Sequence, residues 1–290
     1  MRAQRTLCGV AALAALACGC NLLSGLEQFV IRDVATAGAG GGGGSGGAVA
    51  INVLVHPTDA ALVGSQVWVA NLDGASVSRF AADGSPADPV TPFDTPIGIA
   101  VVNSPMGPQV WVASNGGNRI YRRRLDGTSA AMDLKVIQLN HPTGIAAVGS
   151  EVWVANTNTV LRFDADGTYR SPVKDPAIDN PRDILVVGNE VWVANAGAHN
   201  VLRYDFAGSS AGLPFSGFAA PSGLALVGGR VWVSNANQNT ITILDTSGKF
   251  IGTRSDSGLH YPWGIVSVTG SARPVWVINQ ASSSISTLLP

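Results

Sequence analysis

The sequence is poor in charge and in cysteine, and each shortage excludes a class of protein. Charged residues make up 13% of the 290 residues, and 18 basic residues against 19 acidic ones give a net charge of −1. Without a basic excess, the chain lacks the electrostatic signature of a nucleic-acid-binding protein. All three cysteines, Cys8, Cys18 and Cys20, lie near the N-terminus. The rest of the chain therefore has neither a disulfide framework nor a cysteine-based zinc site.

Apolar residues, by contrast, are abundant. They make up 46% of the chain, which excludes a disordered protein. An apolar run from Leu7 to Ala17 follows Arg2 and Arg5. A basic segment before a short apolar run is typical of a secretory signal peptide. The run is too short for a transmembrane helix, which needs about 20 residues.

The run ends in Leu16-Ala17-Cys18-Gly19-Cys20. Small residues before a cysteine resemble a bacterial lipoprotein signal, although neither cysteine has the usual leucine three residues before it. The resemblance implies that residues 1–19 are removed and that Cys20 is lipidated, with Cys18 as the alternative. An ordinary signal peptide that contains cysteine is the other interpretation. Either signal places the protein in a bacterial cell envelope or outside the cell, and a lipid anchor would be its one contact with the membrane.

A glycine-rich segment separates this signal from the rest of the chain. Residues 20–47 include the run Gly40–Gly44, followed by Ser45-Gly46-Gly47. Glycine loses too much backbone entropy on ordering for this segment to form a packed element. The composition predicts a flexible tether, so a folded domain is expected over residues 48–290.

This predicted domain consists of six repeats of one sequence unit. Each unit places a proline before a short apolar stretch and then a Val-Trp-Val tripeptide, and the tryptophans are 39 to 44 residues apart. This period is typical of the blades of a β-propeller. The tryptophans are Trp68, Trp111, Trp153, Trp192, Trp232 and Trp276, and the prolines are Pro57, Pro96, Pro142, Pro181, Pro221 and Pro262.

The third unit shows how one blade is expected to fold. Its pattern predicts strands at 144–148, 151–156 and 159–163, and a weaker outer strand at 169–173. The predicted fold is therefore all-β, a six-bladed propeller of four-stranded antiparallel blades. The last unit has three strands, and Ala48–Val55 is a spare strand expected to complete it and close the ring. An open solenoid is the alternative.

The units also resemble a known repeat. Pro142-Thr143-Gly144-Ile145-Ala146, Val152-Trp153-Val154-Ala155-Asn156 and the later Val160-Leu161-Arg162-Phe163 are similar to NHL-type repeats. The resemblance covers roughly residues 50–290 and implies the propeller fold rather than a function. The units depart from the family three residues after each tryptophan, where the family often has aspartate. Those positions hold Asn71, Ser114, Asn156, Asn195, Asn235 and Asn279.

The sequence has few residues at positions where they could carry out enzymatic chemistry. Glutamate occurs three times: Glu27 precedes the domain, and Glu151 and Glu190 are expected to face solvent in turns. Peptide-amidating lyases, which resemble this fold, place a metal-binding histidine directly after the proline of a blade. The corresponding positions here contain no histidine, so no metal, no cofactor and no catalytic residue is predicted. These positions are Thr58, Ile97, Thr143, Arg182, Ser222 and Trp263.

Polar residues in the loops before the prolines remain as candidates. Histidines and aspartates recur there, and the fold would bring these loops to one face around the channel mouth. They could bind a ligand or a metal. The alternative is that these loops are polar because they are solvated. The candidate ligand-binding residues are His56, Asp94, His141, Asp179 and His260.

Together these features predict a monomeric, non-enzymatic binding or scaffold propeller of the bacterial cell envelope. Its loops would present one face to a protein or glycan partner. A propeller-type lyase or hydrolase using the loop histidines and aspartates is the alternative, and a structural envelope protein is a third hypothesis.

The lipidation hypothesis predicts that Cys20→Ala releases the protein from the membrane fraction, because the acyl chains attach to this thiol. Cell fractionation followed by immunoblotting measures this. Cys18→Ala is the matched control and should remain membrane-bound. Release by Cys18→Ala alone would make Cys18 the anchor, and retention of both variants would argue against a lipid anchor.

Overall fold

The computed structural model describes residues 54–268, 271 and 274–290. Within these residues the chain forms 21 β-strands and one short 3-10 turn, Ala236–Gln238. No helix among them is long and apolar enough to cross a membrane. The predicted signal peptide, the tether and most of the predicted closing strand lie outside the described residues.

The strands follow the six sequence units. Blade 1 contains β1 Pro57–Val63, β2 Gln66–Asn71, β3 Ser76–Ala81 and β4 Pro86–Val90; blade 2 contains β5 Pro96–Ser104, β6 Gly107–Ser114 and β7 Arg119–Arg123. Blade 3 contains β8 Pro142–Val148, β9 Glu151–Asn156 and β10 Thr159–Asp164; blade 4 contains β11 Pro181–Val187, β12 Glu190–Asn195, β13 Asn200–Tyr204 and β14 Phe215–Ser216. Blade 5 contains β15 Pro221–Val227, β16 Arg230–Asn235, β17 Thr240–Asp245 and β18 Phe250–Arg254; blade 6 contains β19 Pro262–Ser267, β20 Val275–Asn279 and β21 Ser284–Leu288.

Each blade is one antiparallel meander, and the all-β six-bladed propeller is confirmed. Blades 1, 4 and 5 have four strands, whereas blades 2, 3 and 6 have three. In blade 3 the predicted outer strand at 169–173 is reduced to two isolated bridges, Phe163 with Tyr169 and Val160 with Val173. Pro172 lies between the bridged residues and has no N–H to donate to a ladder, which accounts for the interruption.

The hydrophobic core lies between the blades. Six clusters of buried side chains each join two consecutive blades, and each contains the tryptophan of the earlier blade. Trp153 of blade 3, for example, packs against Val191, Val193 and Tyr204 of blade 4. Five of the six repeated tryptophans are among the largest fully buried side chains, and the sixth, Trp276, is 2% exposed. A blade therefore completes its core only with its neighbour.

The ring closes between the last blade and the first. Trp276 of blade 6 shares a buried cluster with Val67 and Phe80 of blade 1, and strands β19 and β1 are in contact. Leu54 belongs to the same cluster and is 2% exposed. Every residue of β21 is buried. The pairing of Ala48–Val55 with blade 6 stays a prediction, because residues 48–53 lie outside the described part of the chain.

The innermost strands pack so closely that four blades require glycine two residues after the proline. A Cβ atom on Gly98 would lie 2.1 Å from the carbonyl oxygen of Thr143, and one on Gly223 would lie 2.1 Å from that of Trp263. Both distances are far inside van der Waals contact with the backbone of the next blade. Gly144 and Gly264 face the next blade in the same way, at 2.5 and 2.7 Å.

Gly223→Ala should therefore destabilise the propeller by about 1–3 kcal/mol or more, the usual cost of overpacking. Urea unfolding measures the change. Gly252→Ala in the same blade is the matched control, since no atom lies within 4 Å of its Cβ position. It should leave stability unchanged or raise it slightly. Equal effects of the two substitutions would show that inner-strand contact does not select the glycine.

Candidate functional site at the upper face and the central channel

The antiparallel meander places the candidate loops at one end of every blade. We call this end the upper face; it comprises the loops that precede the prolines and the turns between the second and third strands. The hairpins between the first and second strands form the opposite, lower face. Topology alone thus gathers His56, Asp94, His141, Asp179 and His260 on the upper face. They come from blades 1, 2, 3, 4 and 6.

The residue directly before each proline has a left-handed backbone, with φ between 43° and 51°. Asparagine and histidine adopt this conformation more readily than most residues, which accounts in part for the residue types found in these loops. The six residues are His56, Thr95, His141, Asn180, Ala220 and Tyr261.

Five of these residues donate their backbone N–H to a side chain of the preceding blade. The N–H of His141 donates to Oδ1 of Asn118 at 2.7 Å, and that of Tyr261 donates to Oδ1 of Asn239 at 2.7 Å. The N–H of His56 donates to Oγ of Ser283 at 3.2 Å, so the same bond spans the closure of the ring. These bonds fix the spacing of the upper-face loops around the ring.

His199 occupies the same position in blade 4 and accepts the N–H of Ala220 at its Nδ1 atom, at 3.0 Å. His199 is not among the five candidate residues predicted from the sequence, so sequence reasoning missed this role. The signal that could have found it is the alignment of this turn with the turns of other blades. There the Oδ1 atoms of Asn118, Asn158 and Asn239 accept the equivalent N–H groups.

A second set of bonds anchors each loop from below. The asparagines three residues after the tryptophans are buried, and their Oδ1 atoms accept the N–H of the residue two positions before the proline. Asn195 accepts from Asp179 at 2.7 Å, and Asn279 accepts from His260 at 3.0 Å. In blade 2, Ser114 instead donates its hydroxyl to the carbonyl oxygen of Asp94. An amide can accept here and donate elsewhere with its Nδ2 group, which a carboxylate cannot do.

The side chains of the five candidate residues are exposed to solvent. Nδ1 of His56 is hydrogen-bonded to a carboxylate oxygen of Asp73, and Nδ1 of His141 lies 2.8 Å from Oδ1 of Asn140. Within residues 54–268, 271 and 274–290, no three histidine, cysteine or acidic side chains come close enough to hold a metal ion. The candidates share a face but do not form one chelating cluster, and their role in ligand binding stays a prediction.

The mouth of the central channel is narrowed by large side chains from alternate blades. Ile97, Arg182 and Trp263 follow the prolines of blades 2, 4 and 6 and line the channel cavity. The guanidinium carbon of Arg182 lies 4.2 Å from the ring centroid of Trp263. Arg182 Nη1 is buried and has no hydrogen-bond partner among the described residues. Trp263 is the one tryptophan of the seven in the chain that lies outside the Val-Trp-Val series.

Blades 1, 3 and 5 carry hydroxyl residues at the same position. Thr58, Thr143 and Ser222 each donate to a backbone carbonyl oxygen of the next blade, at 2.8 to 2.9 Å. Hydroxyl groups therefore join the blades in the same layer in which the large side chains fill the channel. The remaining cavity has a volume of about 10 Å³, room for about one water molecule.

Two aspartates line this cavity. Asp59 accepts the N–H groups of Ala60 and of Ile99 in blade 2, at 2.8 and 2.9 Å. Asp183 accepts those of Ile184 and of Leu224 in blade 5, at 2.8 and 2.7 Å. Both side chains are partly accessible to water along the channel, although protein atoms surround them.

Burial raises the pKa of Asp59 from its usual value of 3.8 to about 7, against the lowering effect of its two N–H donors. Burial, and after it the charge of Asp59, raises the pKa of Asp183 well above the usual value. The sequence signal for this pair is the motif Pro-x-Asp in blades 1 and 4, where the other four blades have Pro-x-Gly.

Glu151, expected to face solvent in a turn, is instead buried within its own blade, and that expectation is wrong. Glu151 is 9% exposed; it accepts the indole N–H of Trp153 at 3.0 Å and pairs with Arg162 at 2.7 Å. Arg162 also donates to the carbonyl oxygen of Ala207 in blade 4 at 2.6 Å. Glu190 accepts the indole N–H of Trp192 in the same way.

Comparison with known proteins supports the fold and leaves the family open. No protein-family model matches the chain, and no curated protein matches it. Among solved structures, a gluconolactonase from Xanthomonas campestris has a TM-score of 0.66 at 15% identity, covering 82% of this chain and 89% of that one. Virginiamycin B lyase from Staphylococcus aureus has a TM-score of 0.60 at 18% identity, covering 81% and 79%. A chain of a nidogen/laminin complex has 0.61 at 18%, covering 72% and 83%.

These similarities define the class of protein as a β-propeller. Propellers of this shape include enzymes as well as a protein–protein complex, and identities of 15 to 18% carry the fold alone.

Substitutions of His199 test whether its hydrogen bond with the N–H of Ala220 stabilises the upper face. His199→Ala should lower the free energy of unfolding by about 1 kcal/mol, because the N–H of Ala220 loses its acceptor. His199→Asn should remain close to the wild type, since asparagine has this role in blades 2, 3 and 5. Urea unfolding compares the variants, and equal losses would remove the proposed role of the imidazole.

Proposed function

We propose that the protein is a non-enzymatic binding propeller of the bacterial cell envelope, and that its upper face contacts a protein or glycan partner. The observation that carries this proposal is the filled channel. A cavity of about 10 Å³ beneath Ile97, Arg182 and Trp263 has no room for a substrate. The carboxylates that line it are already bonded to backbone N–H groups.

The upper face has the properties that binding requires. Its loops are held by bonds to the preceding blade and to the buried asparagines, so the backbone is fixed before a partner arrives. The side chains of Asp94, Asp179 and His260 project to solvent from this backbone. A rigid, polar surface loses little conformational entropy on association. The NHL-like repeats, the signal and the lipid anchor belong to the same proposal, in which this face lies outside the cytoplasm.

A second candidate function is a lyase or hydrolase that acts at the upper face. One observation favours it: the hydrogen bond between Nδ1 of His56 and Asp73 orients the imidazole and leaves its Nε2 atom available for proton transfer. The side chains of both residues are about half exposed, at 52% and 53%. Side chains this open to solvent do not form an enclosed catalytic site, so binding is favoured over catalysis.

The binding proposal predicts that a triple variant, Asp94→Ala/Asp179→Ala/His260→Ala, loses at least about tenfold in affinity, equivalent to about 1.4 kcal/mol. The probes are arrayed bacterial surface polysaccharides and purified envelope proteins, with the full mature chain immobilised. Met106→Ala, at the tip of the lower-face hairpin β5–β6, is the control and should bind like the wild type.

Equal losses in both variants, or none in the triple variant, would contradict binding at the upper face. The enzymatic alternative predicts a different outcome: turnover of an arrayed glycan or cyclic ester that His56→Ala abolishes.

A further inference from the structure

Two of the six blades depart from the rule that places glycine at the narrowest part of the inner ring. Asp59 and Asp183 occupy this position in blades 1 and 4, and blades 1 and 4 are opposite one another in a ring of six. Both side chains line the same cavity. The order around the ring is therefore aspartate, glycine, glycine, and then the same again.

Neither carboxylate forms an ion pair within the described residues. The one basic side chain that lines their cavity is Arg182, whose guanidinium lies over the ring of Trp263. The other lining residues carry no charge: Ile97, Gly98, Gly144, Ser222 and Gly264. The polar groups bonded to the two carboxylates are the four backbone N–H donors.

Two ionised carboxylates at this place are unfavourable for two reasons. Burial in a low-dielectric surrounding disfavours each charge, and the charge of one disfavours ionisation of the other. A cavity that holds about one water molecule cannot solvate both. We propose that Asp59 and Asp183 act as a single proton-binding site that couples the stability of the closed ring to pH.

Whether stability rises or falls with pH follows from the number of protons that the folded and the unfolded chain bind. In the unfolded chain both aspartates ionise near 3.8, whereas the folded ring still holds protons above this value. The folded state therefore binds more protons, and its stability falls as pH rises. For Asp59 the loss runs from about pH 3.8 to about pH 7. Within this window each retained proton lowers the folding equilibrium constant tenfold per pH unit.

The side-chain carboxyl carbons of the wild-type protein report this directly. NMR of the full mature chain labelled with 13C at aspartate should show Asp59 and Asp183 protonated above the range in which ordinary aspartates titrate, about pH 3.9. The two carbons should also titrate together, each showing the ionisation of the other. Ordinary, independent titration of both carbons would overturn the proposal without any variant having to fold.

A variant then tests the coupling. In Asp59→Asn the ionisation midpoint of Asp183 should move to lower pH, because the neighbouring charge is removed. The pH dependence of the unfolding equilibrium between pH 4 and 7 should become shallower, because one of the two proton-retaining groups is removed. Asp88→Asn, at an exposed position on β4, is the control and should leave both quantities unchanged. An unmoved Asp183 midpoint would show two independent acids, and the single-site proposal would fail.

Discussion

The packing of one blade against the next is the contact on which the whole structure depends. A four-stranded meander has two faces and no interior, so the apolar side chains of β9 or β12 become buried only when another blade covers them. The repeated tryptophan supplies this contact, at about 4–6 kcal/mol of gross burial for 150–250 Å². Because each cluster needs two blades, the ring gains its full stability only when blade 6 meets blade 1.

Polar contacts also join each of these blades to the next one along the chain. Arg122 stacks over Trp111 and donates to the carbonyl oxygen of Asp166 in the next blade at 2.6 Å. Arg162 repeats the arrangement between blades 3 and 4. In both pairs the guanidinium group lies over the tryptophan ring and also bonds to the hairpin turn of the next blade. Charged residues are few in this chain, and several of them join blades rather than solvate the surface.

The sequence was sufficient for the architecture, because its signals are periodic. Proline, glycine and tryptophan at fixed spacing define six blades, and no single position has to be interpreted alone. The failures are at residues whose role depends on a neighbouring blade. Glu151 reads as a turn residue when its own hairpin is considered, yet its carboxylate pairs with Arg162. That arginine in turn donates to the carbonyl oxygen of Ala207 in blade 4. The aspartate pair is visible as two exceptions to Pro-x-Gly, but its convergence requires knowing that blades 1 and 4 face each other.

The upper face shows why the candidate residues could be located but not assigned. A left-handed residue before the proline favours histidine or asparagine for backbone reasons, and His56 and His141 satisfy that requirement whether or not they bind a ligand. Asp94, Asp179 and His260 lie one position earlier, where the backbone forms the bonds that hold the loop and the side chain is exposed. The choice of a polar side chain at these three positions is therefore not explained by the hydrogen bonds that hold the loops. This is the physical reason to look for a partner there rather than at the histidines that the fold itself favours.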